Sequence, residues 1–168
     1  MANIPQFLKN MNLYVDGKSY AGRVEEITLP KLAVDTEEFN GGGLDAPIEI
    51  DMGMQKLEAS FLINEYDPAL FAMLGLLPGN FVNVSCRGVM VQGEEKTPVV
   101  ANLMGAWKEI DMGSWKRKEK SALKVLIAPR VYTLLIDGIP AIHIDIPNYI
   151  RRIGLVDFLE DERNMLGI

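Results

Sequence analysis

The chain has 168 residues, 48% of them apolar, with 17 basic and 23 acidic side chains and a formal net charge of −6. That length and apolar share suit one globular domain with its own core, so residues 1–168 are read as a single domain. The acidic balance excludes a protein that grips nucleic-acid phosphates with Lys and Arg, or one that docks on an anionic membrane.

The N-terminus, Met1 to Asn12, lacks a basic start followed by an apolar run, so no export signal is expected. Leu13-Tyr14-Val15-Asp16-Gly17 then places Asp-Gly after an apolar run. That is a strong short hairpin signal, because both central turn residues must accept positive φ. Arg23 to Thr28 reads as a strand stopped by Pro30. Leu32 to Phe39 and Ile48 to Met52 read as the two sides of a long hairpin arm, at about 31–53, around Gly41-Gly42-Gly43. Three consecutive glycines predict a turn or loop tip, and no Gly-Lys-Ser/Thr follows to make a phosphate loop. Asp35, Glu37, Glu38, Asp45, Glu49 and Asp51 cluster around the tip, out of register for a calcium loop. Projecting alone, such an arm exposes apolar side chains and unpaired strand edges. Packing against another copy would cover both.

Residues 54–64 alternate. Leu57, Ala59, Phe61 and Ile63 form one set, and Lys56, Glu58, Ser60, Leu62 and Asn64 the other, which predicts a strand with one buried face. Asp67 caps a short helix with Pro68 in its first turn; Gly75 closes it and Pro78 blocks its resumption. Ala69 to Leu74 between them are apolar on every side, so this helix is expected to be buried. The surrounding apolar stretch, Ala69 to Leu77, falls well short of the roughly 20 residues a membrane helix needs. A protein made and kept soluble in a cytoplasm is expected.

Val82, Val84, Cys86, Gly88 and Met90 alternate with Asn83, Ser85 and Arg87, giving another half-buried strand over 81–91. Gln92 to Lys96 joins it to a strand over Pro98 to Ile110. Asp111 to Trp115 opens the next connection, and Lys116-Arg117-Lys118-Glu119-Lys120 is the only basic cluster. It reads as a solvated loop, with contact to an acidic partner surface as the second reading. Ala122 to Ile136 is a long strand in which Pro129 marks an edge or bulge. Leu134-Leu135-Ile136-Asp137-Gly138 echoes the first Asp-Gly hairpin. After Gly154 a C-terminal amphipathic helix is expected, with Leu155, Phe158 and Leu159 on one face and Glu160 to Arg163 charged.

Catalytic and metal-binding chemistry lacks material. There is one cysteine, Cys86, which excludes an internal disulfide, and one histidine, His143. A zinc site needs several such ligands, and a Ser-His-Asp triad would have to be built on His143. His143 lies in an alternating stretch, Ala141 to Ile146, and reads as a strand residue facing water or a neighbouring subunit. Cys86 reads as a small buried apolar residue. A carboxylate-pair hydrolase using Glu25 with Asp51, and a monomeric ligand-binding β-barrel, are the alternatives; no spacing selects the pair. No enzyme activity, cofactor or metal is expected.

Leu29-Pro30-Lys31-Leu32, Thr36-Glu37-Glu38, Gly42-Gly43, Asp45-Ala46-Pro47 and Ile50-Asp51-Met52-Gly53-Met54 together resemble the major tail tube proteins of contractile-tailed phages. Ile4-Pro5-Gln6, Asn12 to Gly17, Lys108 to Lys116 and the ending Arg163 to Ile168 fit the same family, so the resemblance spans essentially the whole chain. R-type bacteriocins use a closely similar tube. The resemblance implies a mainly β fold, a sandwich or partial barrel of antiparallel strands with one buried short helix and a C-terminal helix. By the same resemblance each subunit would add strands to a continuous barrel in a hexameric ring. Rings would stack inside a contractile sheath as a conduit for DNA ejection; in a bacteriocin the tube would puncture membranes without DNA. The implied partners are other copies of the chain, the sheath, the baseplate or initiator and the tape measure protein. DNA would pass through the lumen without specific binding, and the subunit would not insert into a membrane. The virion tail, assembled in the host cytoplasm, is the implied location. The implied intersubunit arm carries Leu32, Val34, Phe39, Gly41, Gly42, Gly43, Leu44, Asp45, Ile48, Ile50 and Met52. Lys56, Glu58, Ser60 and Asn64 are a candidate set for the lumen or the outer face.

Overall fold

A computed structural model describes residues 4–75 and 79–168. Pro78, expected to end the first helix, lies outside the described residues. β1 (Phe7–Val15) turns into β2 (Lys18–Ser19) through Asp16 and Gly17, whose φ angles are 46° and 82°. Both are positive, as a two-residue turn between right-twisted strands requires. β3 (Val24–Thr28) follows, then β4 (Val34–Phe39) and β5 (Ile48–Met54), which pair only with each other. β6 (Ala59–Ile63) returns to pair with β3.

The expected 54–64 strand is therefore divided. Met54 ends β5, Ala59 begins β6, and Gln55 to Glu58 connect them. The Gln55 N–H donates to the Ala33 carbonyl at 2.9 Å, closing the base of the β4–β5 hairpin before the chain enters the main sheet. The alternation still identifies the inward side, since Leu57, Ala59, Phe61 and Ile63 are all buried.

Helix α1 (Pro68–Phe71) is a single turn. The Asp67 carboxylate accepts from the Ala69 N–H at 3.0 Å and from the Tyr20 hydroxyl at 2.7 Å, and it pairs with Lys18. Lys18 first, then Tyr20, hold the Asp67 carboxyl down at about 2, against the push of burial. Burial and the facing Asp67 push the Tyr20 phenol well above its ordinary range. Leu70 is fully buried, whereas Leu74 just beyond is exposed, so the apolar segment is covered on one side only.

β7 (Val82–Gln92) and β8 (Glu95–Asp111) form a long hairpin around Gly93 and Glu94, with Gln92 facing Glu95. The turn is tighter than the five-residue connection read from the sequence. β9 (Leu123–Ile136) pairs with β8 along one edge. Its other edge is shared: Leu123 to Ile127 face β6, and Val131 to Ile136 face β10 (Ile139–Asp145). Pro129 sits at the handover, where its missing N–H matters least. Gly105 pairs with Pro129 and Met104 with Val131, which leaves Arg130 as the extra residue of a bulge. The backbones come so close that a Cβ at Gly105 would lie 2.2 Å from the Ala128 oxygen.

Asp137 and Gly138, with φ of 51° and 76°, make the second Asp-Gly turn. β11 (Ile150–Ile153) and β12 (Val156–Asp157) complete the sheet, ordered β12-β11-β10-β9-β8-β7-β1-β2, with β6 and β3 attached through β9. Both Asp-Gly hairpins thus lie in one sheet. The expected C-terminal helix begins later than read. Gly154 and Leu155 form the β11–β12 turn, and α2 spans Glu160–Leu166. The cause is Asp157, which accepts from the Arg151 N–H at 3.3 Å, the Leu159 N–H at 3.1 Å and Arg163 at 3.0 Å. Burial alone would raise the Asp157 pKa, but these donors hold it below the ordinary carboxylate range. The core lies between the inward faces of β1, β7 and β8 and those of β6 and β9, with Trp107, Phe61, Leu13, Leu70 and Val125 at most 1% exposed.

Candidate assembly interface

The β4–β5 hairpin has no third strand, and almost every residue on it is exposed. Phe39 pairs with Ile48 and Glu37 with Ile50, which puts three large apolar side chains on one face. Thr36 pairs with Asp51 and Glu38 with Glu49, which makes the other face acidic. This two-faced pattern follows from the period-two geometry of strands. Phe39 is 52% exposed, Ile48 50% and Met52 59%, a large apolar surface for so small an element. Val34 and Ile50 are exposed on the strands, Leu32 just before them, and Gly42, Gly43, Leu44 and Asp45 at the tip. Gly41 is half-buried, because a Cβ there would lie 2.9 Å from the Phe39 ring.

At its base the hairpin is tied by Arg151, whose guanidinium donates to Asp51 at 2.8 Å. That bond, with the Gly53 N–H, lowers the Asp51 pKa. Beside it opens a groove of about 610 Å³ between Asp51 to Leu57 and the Ile144–Arg151 segment, flanked by Leu159 and Glu162.

A second exposed feature is the connection from β8 to β9. Trp115 is 82% exposed, yet its Nε1 donates to the Tyr66 hydroxyl at 2.9 Å, and Tyr66 donates to the Met112 carbonyl at 2.6 Å. The basic run Lys116 to Lys120 follows, exposed throughout.

A third feature comes from strand register. Strand register aligns Tyr14, Ser85, Asn102, Thr133 and His143 in one row across β1, β7, β8, β9 and β10. The row is polar and lies on the face turned away from the core. Thr133 Oγ1 and His143 Nδ1 are 2.9 Å apart, and the Arg87 guanidinium lies over the Tyr14 ring at 5.1 Å from its centroid. Polar residues between apolar ones were visible in each strand, but which of them share a row depends on register.

Lys56, Glu58, Ser60 and Asn64 are spent differently. Glu58 holds Lys56 at 3.0 Å and Lys108 at 2.6 Å, and Asn64 donates to Glu25 at 2.7 Å. Lys56 and Glu58 lie where the hairpin joins the sheet, whereas Asn64 lies at the opposite end of β6, beside Glu25. Glu25 and Asp51 have separate partners, so no carboxylate pair is assembled from them. Burial pushes the Cys86 thiol up to about 12, leaving it protonated at neutral pH.

Residues 5–167 match the model of the phage tail tube protein FII family. The chain is similar to the tail tube protein of Escherichia phage P2, 28% identical over 170 residues that cover 98% of this chain and 99% of that protein. It is similar also to the major tail tube protein of Serratia phage KSP20, 28% identical over 149 residues, covering 88% of this chain and 86% of that protein.

Proposed function

Because the chain belongs to the phage tail tube protein FII family, a family of structural proteins of the phage tail, we propose that its copies close into hexameric rings that stack as the inner tube of a contractile tail. The observation that carries this reading is the unpartnered hairpin β4–β5, with Phe39, Ile48 and Ile50 beside Glu37 on one face and an acidic opposite face. A second copy covers what the single chain leaves exposed. The outer edge of β1 agrees, since β2 pairs with Tyr14 and Val15, the Tyr20 N–H donates to the Leu13 carbonyl, and Phe7 to Asn12 have no strand partner on that side. A strand edge of that length invites another chain, and closing a ring of subunits removes it.

The polar row from Tyr14 to His143, rather than Lys56, Glu58, Ser60 and Asn64, is the face for the bore. Its hydroxyl, amide and imidazole groups hydrate well, and the fixed cations that border it are Arg87 over Tyr14 and Arg152 opposite His143, so passing phosphates meet few groups that hold them. The tube would bear the sheath outside, start on a baseplate or initiator, and take its length from the tape measure protein. Assembly takes place in the host cytoplasm, and ejection through the host envelope follows sheath contraction. Negative-stain microscopy of the purified protein tests the reading: rings or tubes are expected, and a strictly monomeric protein at high concentration contradicts it.

A further inference from the structure

We propose that the acidic face of the hairpin β4–β5 seats on the Trp115–Lys120 loop of a second copy, head to tail. The inference rests on the tube assembly above and identifies the surface that receives the arm.

The arm has an unsatisfied charge pattern. Between Val34 and Met54 the chain carries six carboxylates and no Lys or Arg. Register sets Glu38 directly opposite Glu49, and opposed like charges destabilise a strand pair. Among the described residues Arg151 is the one cation that pairs with the arm, and it takes Asp51. Cations supplied by a second copy would complete this pattern.

The loop has the converse pattern. Lys116, Arg117, Lys118 and Lys120 surround a single acid, Glu119. Lys116 reaches Glu119 at 3.9 Å and Lys120 reaches Glu25 at 3.8 Å, both at the far limit of an ion pair. Arg117 and Lys118 have no acidic partner among the described residues. Trp115, fixed by Tyr66, adds a large aromatic surface of the kind that anchors interfaces.

The two patches cannot serve each other within one chain. β3 and β6 pair from Val24–Ile63 at one end to Thr28–Ser60 at the other. The arm leaves from the Thr28–Ser60 end. The loop sits at the Val24–Ile63 end, where Lys120 meets Glu25 and Leu123 pairs with Ile63. Five strand residues separate the ends by about 13–17 Å. Complementary patches on opposite ends of one subunit make a heterologous contact that repeats along an axis rather than closing a dimer.

Charge reversal tests this. E38K/E49K on the arm and R117E/K118E on the loop are each expected to lower the assembled fraction roughly tenfold at fixed protein concentration, since opposed like charges disfavour an interface. The chain carrying all four changes regains assembly to within about twofold. Circular dichroism should show every variant folded, because all four side chains are exposed. A four-change chain that assembles no better than its parents overturns the pairing, as does unimpaired assembly of R117E/K118E. Independently, Glu38→Cys with Lys118→Cys should give a ladder of disulfide-linked chains in oxidised tubes, with the buried Cys86 silent; tubes without a ladder overturn it too. A wild-type chain that never assembles instead overturns the tube assembly itself, and the pairing with it.

Discussion

At Gly105 the side chain is dictated by distance rather than by torsion. A methyl group there would sit 2.2 Å from the Ala128 oxygen and 2.7 Å from the Pro129 Cα, both backbone atoms that cannot swing aside. Gly105→Ala should cost at least about 2 kcal/mol by overpacking, seen as a thermal midpoint lower by roughly 5 °C or more; an unchanged midpoint would show that the bulge yields. Asp67 acts through its charge. Its folded pKa of about 2, set first by Lys18 and then by Tyr20, lies below its ordinary 3.8. Between those values the unfolded chain binds more protons. The stabilisation is therefore fully present above about pH 4 and is lost as pH falls towards 2, by no more than about 2 kcal/mol. Asp67→Asn should flatten that acid limb in a denaturation series, and a series with the same slope as wild type would contradict the assignment. The Asp67 cap was legible in the sequence from Asp-Pro before an apolar run. Its links to Lys18 and Tyr20 were not, because 47 residues separate Tyr20 from Asp67 and only the fold joins them.

At the scale of elements, strands whose partners are local could be read from period two and from turn residues. Both Asp-Gly turns adopt the paired positive φ that Asp and Gly permit. The C-terminus misled because Leu155, Phe158 and Leu159 have helical spacing. Gly154 is nevertheless free to turn the chain at φ 62°, and Asp157 stops it short of the helix with its own hydrogen bonds. Spacing could not weigh those competing bonds. The hairpin β4–β5 offers the sharpest test of the proposed assembly. Phe39→Ser with Ile48→Ser removes one apolar cross-strand pair from a surface that supports no core residue. The isolated chain should keep its circular dichroism spectrum and melting temperature within about 0.5 kcal/mol of wild type. Assembly, followed by sedimentation, should be lost, and undiminished sedimentation would remove the apolar face from the interface.

For the whole molecule, the row Tyr14-Ser85-Asn102-Thr133-His143 carries the proposed conduit. Replacing Ser85 and Asn102 with Lys should leave tube assembly intact while phage titre falls, because a ring of added cations would hold passing phosphates. Normal titre would place the row elsewhere than the bore. Each strand contributes a single residue to this row, so only the register of five strands displays it. The shared strand β9 has a mechanical consequence. The arm runs through β5 into β6, β6 is laddered to β9 through Leu123 to Ile127, and β9 is laddered to β8 over most of its length. A pull on the arm along β6 loads these ladders lengthwise, so many hydrogen bonds resist at once instead of peeling apart singly. Force entering along the arm passes through the Gln55–Glu58 connection and then spreads over the β6–β9 and β9–β8 ladders.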